Sequence, residues 1–143
     1  MISDEERVFI ASQPVARLAT ASGSGAPHVV PICFVVIDES LYFTIDEKPK
    51  RSTARPLKRV RNIQENPKAA VIIDRYDDEW SRLGWVMLHG EAEIIESGEE
   101  HAMAQDALKA RYPQYRQMML STLPVVAIRI RRTTIWGNLA ADA

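Results

Sequence analysis

Val15-Ala-Arg-Leu-Ala-Thr-Ala-Ser-Gly-Ser-Gly-Ala-Pro-His-Val-Val-Pro-Ile-Cys-Phe-Val-Val-Ile-Asp-Glu-Ser-Leu-Tyr-Phe-Thr-Ile45 holds three apolar, largely β-branched runs separated by two short polar tracts. Val15 to Thr20 reads as a first strand, Ser22-Gly-Ser-Gly25 as a turn and His28 to Val36 as a second strand; Asp38-Glu-Ser40 then turns the chain into Leu41 to Ile45. Connections this short join antiparallel neighbours, because a parallel pair needs a crossover of a dozen or more residues. His28 to Val36 carries little polarity on either face, as expected of a strand in the middle of a barrel.

Outward from this meander, Ser3-x-x-Glu6 predicts a capping box for a short helix through Val8, Phe9 and Ala11 that ends before Pro14. On the other side, Leu57, Val60 and Ile63 recur at helical spacing, so a short helix opens near Arg55 or Pro56 and closes near Asn66-Pro67. Lys68 to Asp74 and Trp85 to Glu96 read as two further strands, with a polar, aromatic-bearing excursion between them. Ser97-x-x-Glu100 predicts a second capping box, opening a helix that Pro113 stops; Gln114 to Leu120 reads as a further helical turn. Val125 to Arg131 alternates apolar and basic residues, as a strand with one wet face does. Strands joined by turns, with helices at the margins rather than after every strand, predict a mainly β (α+β) antiparallel barrel, not a parallel doubly wound sheet.

A chain of 143 residues with 46% hydrophobic content and a net charge of -1 suits one domain, spanning 1–143, with a core of its own. No apolar run reaches the roughly 20 residues of a membrane helix, and Ser3, Asp4, Glu5 and Glu6 make the start acidic where a secretory signal is basic. A cytoplasmic protein is expected. Cys33, the one cysteine, forbids an intrachain disulfide, and near-neutral charge argues against wholesale nucleic-acid binding.

The charge is unevenly spread. Lys48, Lys50, Arg51, Arg55, Lys58, Arg59 and Arg61 fall in one stretch with no acidic residue among them, directly after a strand. Such a block either makes a solvated face or holds an anion, and two prolines that stiffen it favour the anion. Lys48-Pro-Lys50 at a strand exit suits a phosphate. No aromatic interleaves the block, so base stacking has no platform there.

Other chemistry has little support. His28, His89 and His101 lack metal-ligand spacing, so no metal is expected, and His89, between apolar neighbours, reads as an interior or barrel-face residue. Neither Ser52 nor Ser81 sits in a nucleophile elbow, and the glycines form no phosphate-binding loop. Core burial is the usual fate of tryptophans such as Trp80, Trp85 and Trp136, yet Trp80 and Trp136 occupy polar or terminal segments where burial within one subunit is not obvious; aromatics so placed suit a subunit interface or the wall of a flat ligand's pocket.

The ordered set Ala16-Arg-Leu-Ala-Thr20, Gly25-Ala-Pro-His28, Val30-Pro31, Leu41-Tyr-Phe-Thr44, Lys48-Pro-Lys50, Asn66-Pro67, Ala69 to Asp74 and Gly90-Glu-Ala92 resembles the split-barrel flavin and deazaflavin oxidoreductases, which include pyridoxamine 5'-phosphate oxidase. It covers nearly the whole chain. Lys48-Pro-Lys50 with Leu57 to Ile63, followed by Asp74 to Trp85, more narrowly resembles a subgroup of probable enzymes dependent on the deazaflavin coenzyme F-420.

The resemblance implies a homodimer of six-stranded split barrels with a cofactor site at the subunit interface. Pro31, Ile32 and Cys33 would lie along the cofactor ring and Thr44 would contact the ring or ribityl region. Lys48 and Lys50 would hold the phosphate, while Arg55, Lys58, Arg59 and Asn62 would reach the phosphate or the acidic tail. Trp80 and Trp136 would form a substrate-side or partner-subunit wall, and no side chain is singled out as catalytic. The implied activity is hydride transfer between reduced F-420 and a small conjugated substrate. FMN is the alternative cofactor, and a non-catalytic flavin, deazaflavin or haem carrier the alternative of another class.

Overall fold

A computed structural model describes residues 1–46 and 57–140. The chain runs α1 (Asp4–Ser12), β1 (Ala16–Ala21), β2 (Pro27–Ile32), β3 (Val35–Ile37), β4 (Ser40–Thr44), α2 (Lys58–Glu65), β5 (Lys68–Arg75), β6 (Gly84–Ile95), α3 (Glu99–Arg111) and β7 (Val125–Gly137), with short 3-10 turns before β6 and β7. The seven strands form one antiparallel sheet in the order β2-β1-β5-β6-β7-β4-β3.

The expected single strand from His28 to Val36 is two, and this raises the strand count from six to seven. β2 pairs only with β1 and β3 only with β4, so the run supplies both margins of the sheet rather than its middle. Only Cys33 and Phe34 separate those margins along the chain. The sheet must therefore curl until its two edges meet there, and a barrel with a seam results.

Phe34, buried at the seam, has no ladder partner for its backbone, and the end of α3 supplies one. Tyr112 Oη accepts from the Phe34 N–H at 3.0 Å, and Arg111 Nη1 donates to the Phe34 carbonyl at 2.7 Å. Unpaired buried peptide groups are costly, so the split is made tolerable by side chains 77 and 78 residues away.

Period-two alternation sorts the strands. Leu41, Phe43, Val71, Ile73, Val86, Leu88, Val126 and Ile128 fill the barrel; Tyr42, Val125 and Ala127 face outward and pack with Ala104 and Leu108 of α3. Phe9 and Ile10 of α1 and Ile63 of α2 join the interior core, which the two helices close from opposite ends of β5. At the Arg75 end its guanidinium stands 5.4 Å from the Phe9 ring centroid; at the Lys68 end α2 leads directly into the strand. A bulge at His89/Gly90 coils β6 against β7, and only glycine fits there, because a Cβ on Gly90 would lie 2.1 Å from the Arg129 carbonyl oxygen.

The first capping box forms, with Glu6 N donating to Ser3 Oγ and Ser3 N to Glu6 Oε1, both at 3.1 Å. The second does not. Gly98 at φ 105° takes the N-cap position of α3, with no side-chain cap, and Glu100 turns instead to Tyr42 and Arg129. β7 also runs six residues beyond the expected Arg131, pairing with β6 as far as Gly137.

Candidate cofactor pocket at the seam

The seam creates a pocket. Where β2 ends and the chain crosses to β3, Pro31, Ile32 and Cys33 face Phe43, Thr44 and Asp46 at the exit of β4 across a cavity of about 230 Å³. Val15, Arg59 from the first turn of α2 and Tyr115 complete its walls. Five residues expected at the cofactor, Pro31, Ile32, Cys33, Thr44 and Arg59, thus converge on one cavity, although they come from three separate parts of the chain.

Thr44 is held rather than free. Its hydroxyl donates to the Pro124 carbonyl at 3.2 Å and accepts from Gln105 Nε2 at 2.9 Å, and the same amide nitrogen bonds the carbonyls of Leu120 and Leu123. His101 Nε2, 2.7 Å from the Leu123 carbonyl, is accordingly its protonated nitrogen. Side chains of α3 therefore fix the exit of β4 and the segment entering β7. Arg59 is half-buried, and its Nε has no hydrogen-bond partner among the described residues.

Two residues that the sequence did not single out shape the polar side of the pocket. Tyr115 is buried and donates its hydroxyl hydrogen to Asp46 Oδ2 at 2.6 Å. Burial, then the hydrogen bond to Asp46, pushes its phenol far above the usual range. Burial likewise pushes the Cys33 thiol up, and the Tyr115 hydroxyl beside it only partly offsets this. Cys33 is thus a neutral thiol, not a nucleophile poised as thiolate. Asp46 follows the expected third strand directly and Tyr115 follows Pro113, but no spacing in the sequence links them.

The remaining expectations separate. Lys48, Lys50 and Arg55 lie outside the described residues. Lys58 is exposed on α2. Asn62 differs from expectation: it is fully buried, donates from Nδ2 to Thr20 Oγ1 at 3.0 Å, and ties α2 to β1 rather than lining the pocket. Trp80 and Trp136 are 72% and 52% exposed, and neither lines the pocket of its own chain. Trp136 stacks on Trp85 at 6.4 Å, at the end of β7 opposite to Val125, the residue that pairs with Thr44. His89 is half-buried on the barrel face, as expected, but its Nδ1 has no partner among the described residues.

The family profile described as pyridoxamine 5'-phosphate oxidase matches residues 2–137. The chain belongs to the pyridoxamine 5'-phosphate oxidase family. Within reach of this family, a 5a,11a-dehydrotetracycline/5a,11a-dehydrooxytetracycline reductase of Streptomyces rimosus subsp. rimosus is 25% identical over 138 residues, 94% of this chain and 82% of that protein. A conserved hypothetical protein from Mycobacterium tuberculosis is 26% identical, with a TM-score of 0.73 over 96% of this chain and 86% of its own. A heme binding protein from Mycobacterium smegmatis superposes with a TM-score of 0.77 at 21% identity, covering 96% of this chain and 55% of that one. The last likeness is one of fold. Among the described residues no helix is long and apolar enough to cross a membrane.

Proposed function

We propose that this chain is an oxidoreductase that binds coenzyme F-420 and passes a hydride from the reduced cofactor to a small conjugated substrate. The observation that carries the reading is the convergence of Pro31, Ile32, Cys33, Thr44 and Arg59 on the seam pocket, at the start of a helix whose first turn carries Lys58, Arg59 and Arg61. The pocket fits a flat ring with an anionic chain. Strand backbone and apolar side chains offer the ring a wall, and half-buried Arg59 offers the chain a donor that has no partner among the described residues. When bound, the cofactor supplies the hydride chemistry; the protein binds, orients and keeps water away.

F-420 is preferred to FMN on charge. Lys48, Lys50, Arg55, Lys58 and Arg59 form a longer run of cations than one phosphate needs, and the polyglutamate tail of F-420 supplies the matching carboxylates. The similarity to a reductase from Streptomyces rimosus supports reduction as the direction. FMN is the second reading, favoured by the oxidase description of the family.

The working unit proposed is a cytoplasmic homodimer. Ala19, Ala70, Ile72, Trp85 and Met87 lie on the outward face of β1, β5 and β6, half-exposed and without a covering helix among the described residues. Trp80 and Trp136 lie outside their own pocket, and we assign them to the wall of the partner's site. Fluorescence titration of purified protein with F-420, FMN and FAD tests the cofactor. F-420 is expected to bind tightest, and tighter binding of FMN overturns the assignment. Changing Lys48 and Lys50 together to Ala is expected to cost several kcal/mol, since hydrogen bonds to charged groups contribute about 1.5 to 3 kcal/mol each.

A further inference from the structure

A second cavity, of about 740 Å³, adjoins the seam pocket and shares Cys33, Asp46 and Tyr115 with it. Its remaining walls are Tyr112, Pro113, Gln114 and Met118, all from the segment that follows α3. The volume is that of a site for a small organic molecule. Most of the lining is apolar or aromatic, and Tyr112 meets Tyr115 edge to face, with ring centroids 5.7 Å apart.

The shared corner has a definite hydrogen-bond polarity. Tyr115 gives its single hydroxyl hydrogen to Asp46 Oδ2, so toward the cavities its oxygen can only accept. Asp46, as a carboxylate, also only accepts. Cys33 is a neutral thiol and a weak donor. Two acceptors and one weak donor therefore meet at this corner, in a wall whose other polar side chain is Gln114, and an incoming group that brings its own hydrogen is favoured there. A ligand presenting only a carbonyl or a carboxylate there sets acceptor against acceptor and is disfavoured.

We propose that this second cavity is the substrate site, and that it selects a planar ring compound bearing an O–H donor, a phenol or an enol, whose hydrogen goes to Tyr115 Oη with Asp46 polarising that oxygen from behind. Tyr112, Pro113 and Met118 hold the ring. The inference rests on the cofactor reading only in calling the occupant a substrate.

Calorimetric titration of cofactor-free protein with 2-naphthol and with 2-methoxynaphthalene, equal in ring but different in the donor, tests it. The naphthol is expected to bind about fivefold to tenfold more tightly, the measure of one hydrogen bond. Tyr115→Phe is expected to bring the ratio to about one while leaving methoxynaphthalene affinity unchanged, and Met118→Ala to weaken both ligands alike. Asp46→Asn, which keeps the shape of the corner, should also reduce the preference and decides the matter if Tyr115→Phe fails to fold. Equal affinities in the unmodified protein, binding of neither compound, or a preference that survives both changes overturns the proposal. Protein that shows the preference but ignores F-420, FMN and FAD refutes the cofactor reading and leaves this one standing.

Discussion

Arg111 Nη1 donates to the Phe34 carbonyl oxygen at 2.7 Å, while the guanidinium carbon stands 4.6 Å from the centroid of the Phe34 ring. The second terminal nitrogen reaches the carbonyls of Gln13 and Ala11, at 2.5 and 3.2 Å. One side chain thus joins α3, the seam and the segment between α1 and β1. Arg111→Ala leaves several acceptors unpaired and removes a cation from an aromatic face. It is expected to lower unfolding free energy by about 2 to 4 kcal/mol in urea denaturation, against about 0.5 kcal/mol or less for the exposed Arg116→Ala. Equal effects at the two positions would show that the seam does not depend on this latch.

Glu100 is the next link between α3 and the sheet. Hydrogen bonds from Arg129 and then Tyr42 hold its carboxyl down at about 2, below its ordinary 4.5. A carboxyl lowered in the folded state contributes stability above its unfolded value, and that contribution is lost as pH falls from 4.5 toward 2. Its side chain is 36% exposed, so solvent screening reduces the effect to on the order of 1 kcal/mol. Stability curves between pH 5 and 2 should show the Glu100→Gln protein losing less than the parent, with the two converging at the acid end. Parallel curves would place the acid sensitivity elsewhere.

Much of this architecture is readable from residue order. Turn chemistry at Ser22 to Gly25 and Asp38 to Ser40, with short spacing, gives the antiparallel meander, and the Ser3–Glu6 cap is local enough to be read directly. The division of His28 to Val36 is not local. Pro31 marks the first half of that run as an edge strand, but nothing marks the break at Phe34, because the groups that satisfy its backbone, Arg111 and Tyr112, are distant in sequence. Glu100 misleads for the same reason: its spacing from Ser97 suits a cap, yet Arg129 outcompetes it. Within the pocket, residues on strand exits and a basic helix start were legible by resemblance. Asp46 and Tyr115 were not, since their pairing exists only after the 3-10 turn Pro113–Gln117 packs against the exit of β4.

Arg59 separates an anion site from a solvated basic face. It lines the pocket with a buried Nε that has no partner among the described residues, whereas Lys58 beside it is exposed. Arg59→Gln should weaken F-420 binding about tenfold to hundredfold, the range for one hydrogen bond to a charged group, and flatten the salt dependence of binding. Lys58→Gln should cost threefold or less, as expected of a screened, exposed charge. Fluorescence titration at two ionic strengths reads both. Equal, small losses would mean that α2 does not meet the cofactor.

Met87 tests how the barrel is completed. It pairs in register with Ile72 on one side and Thr134 on the other, on the outward face that also carries Ala70 and Trp85. The face is half-exposed in the single chain and also carries His89 and the Arg17–Asp74 ion pair, and a mixed face with half-exposed apolar side chains on a small barrel is one a second copy would cover. Met87→Glu places a charge in the middle of the face without touching the interior, which alternates onto Val86 and Leu88. Burying that charge unpaired is costly, so analytical ultracentrifugation should show the parent as a dimer and the variant shifted to monomer, with strand content by circular dichroism unchanged. If Trp136 serves the partner's pocket, the monomeric variant should also lose cofactor affinity although Pro31, Thr44 and Arg59 are intact. A parent that sediments as a monomer would remove the interface and, with it, any role for Trp80 and Trp136 in a neighbour's site.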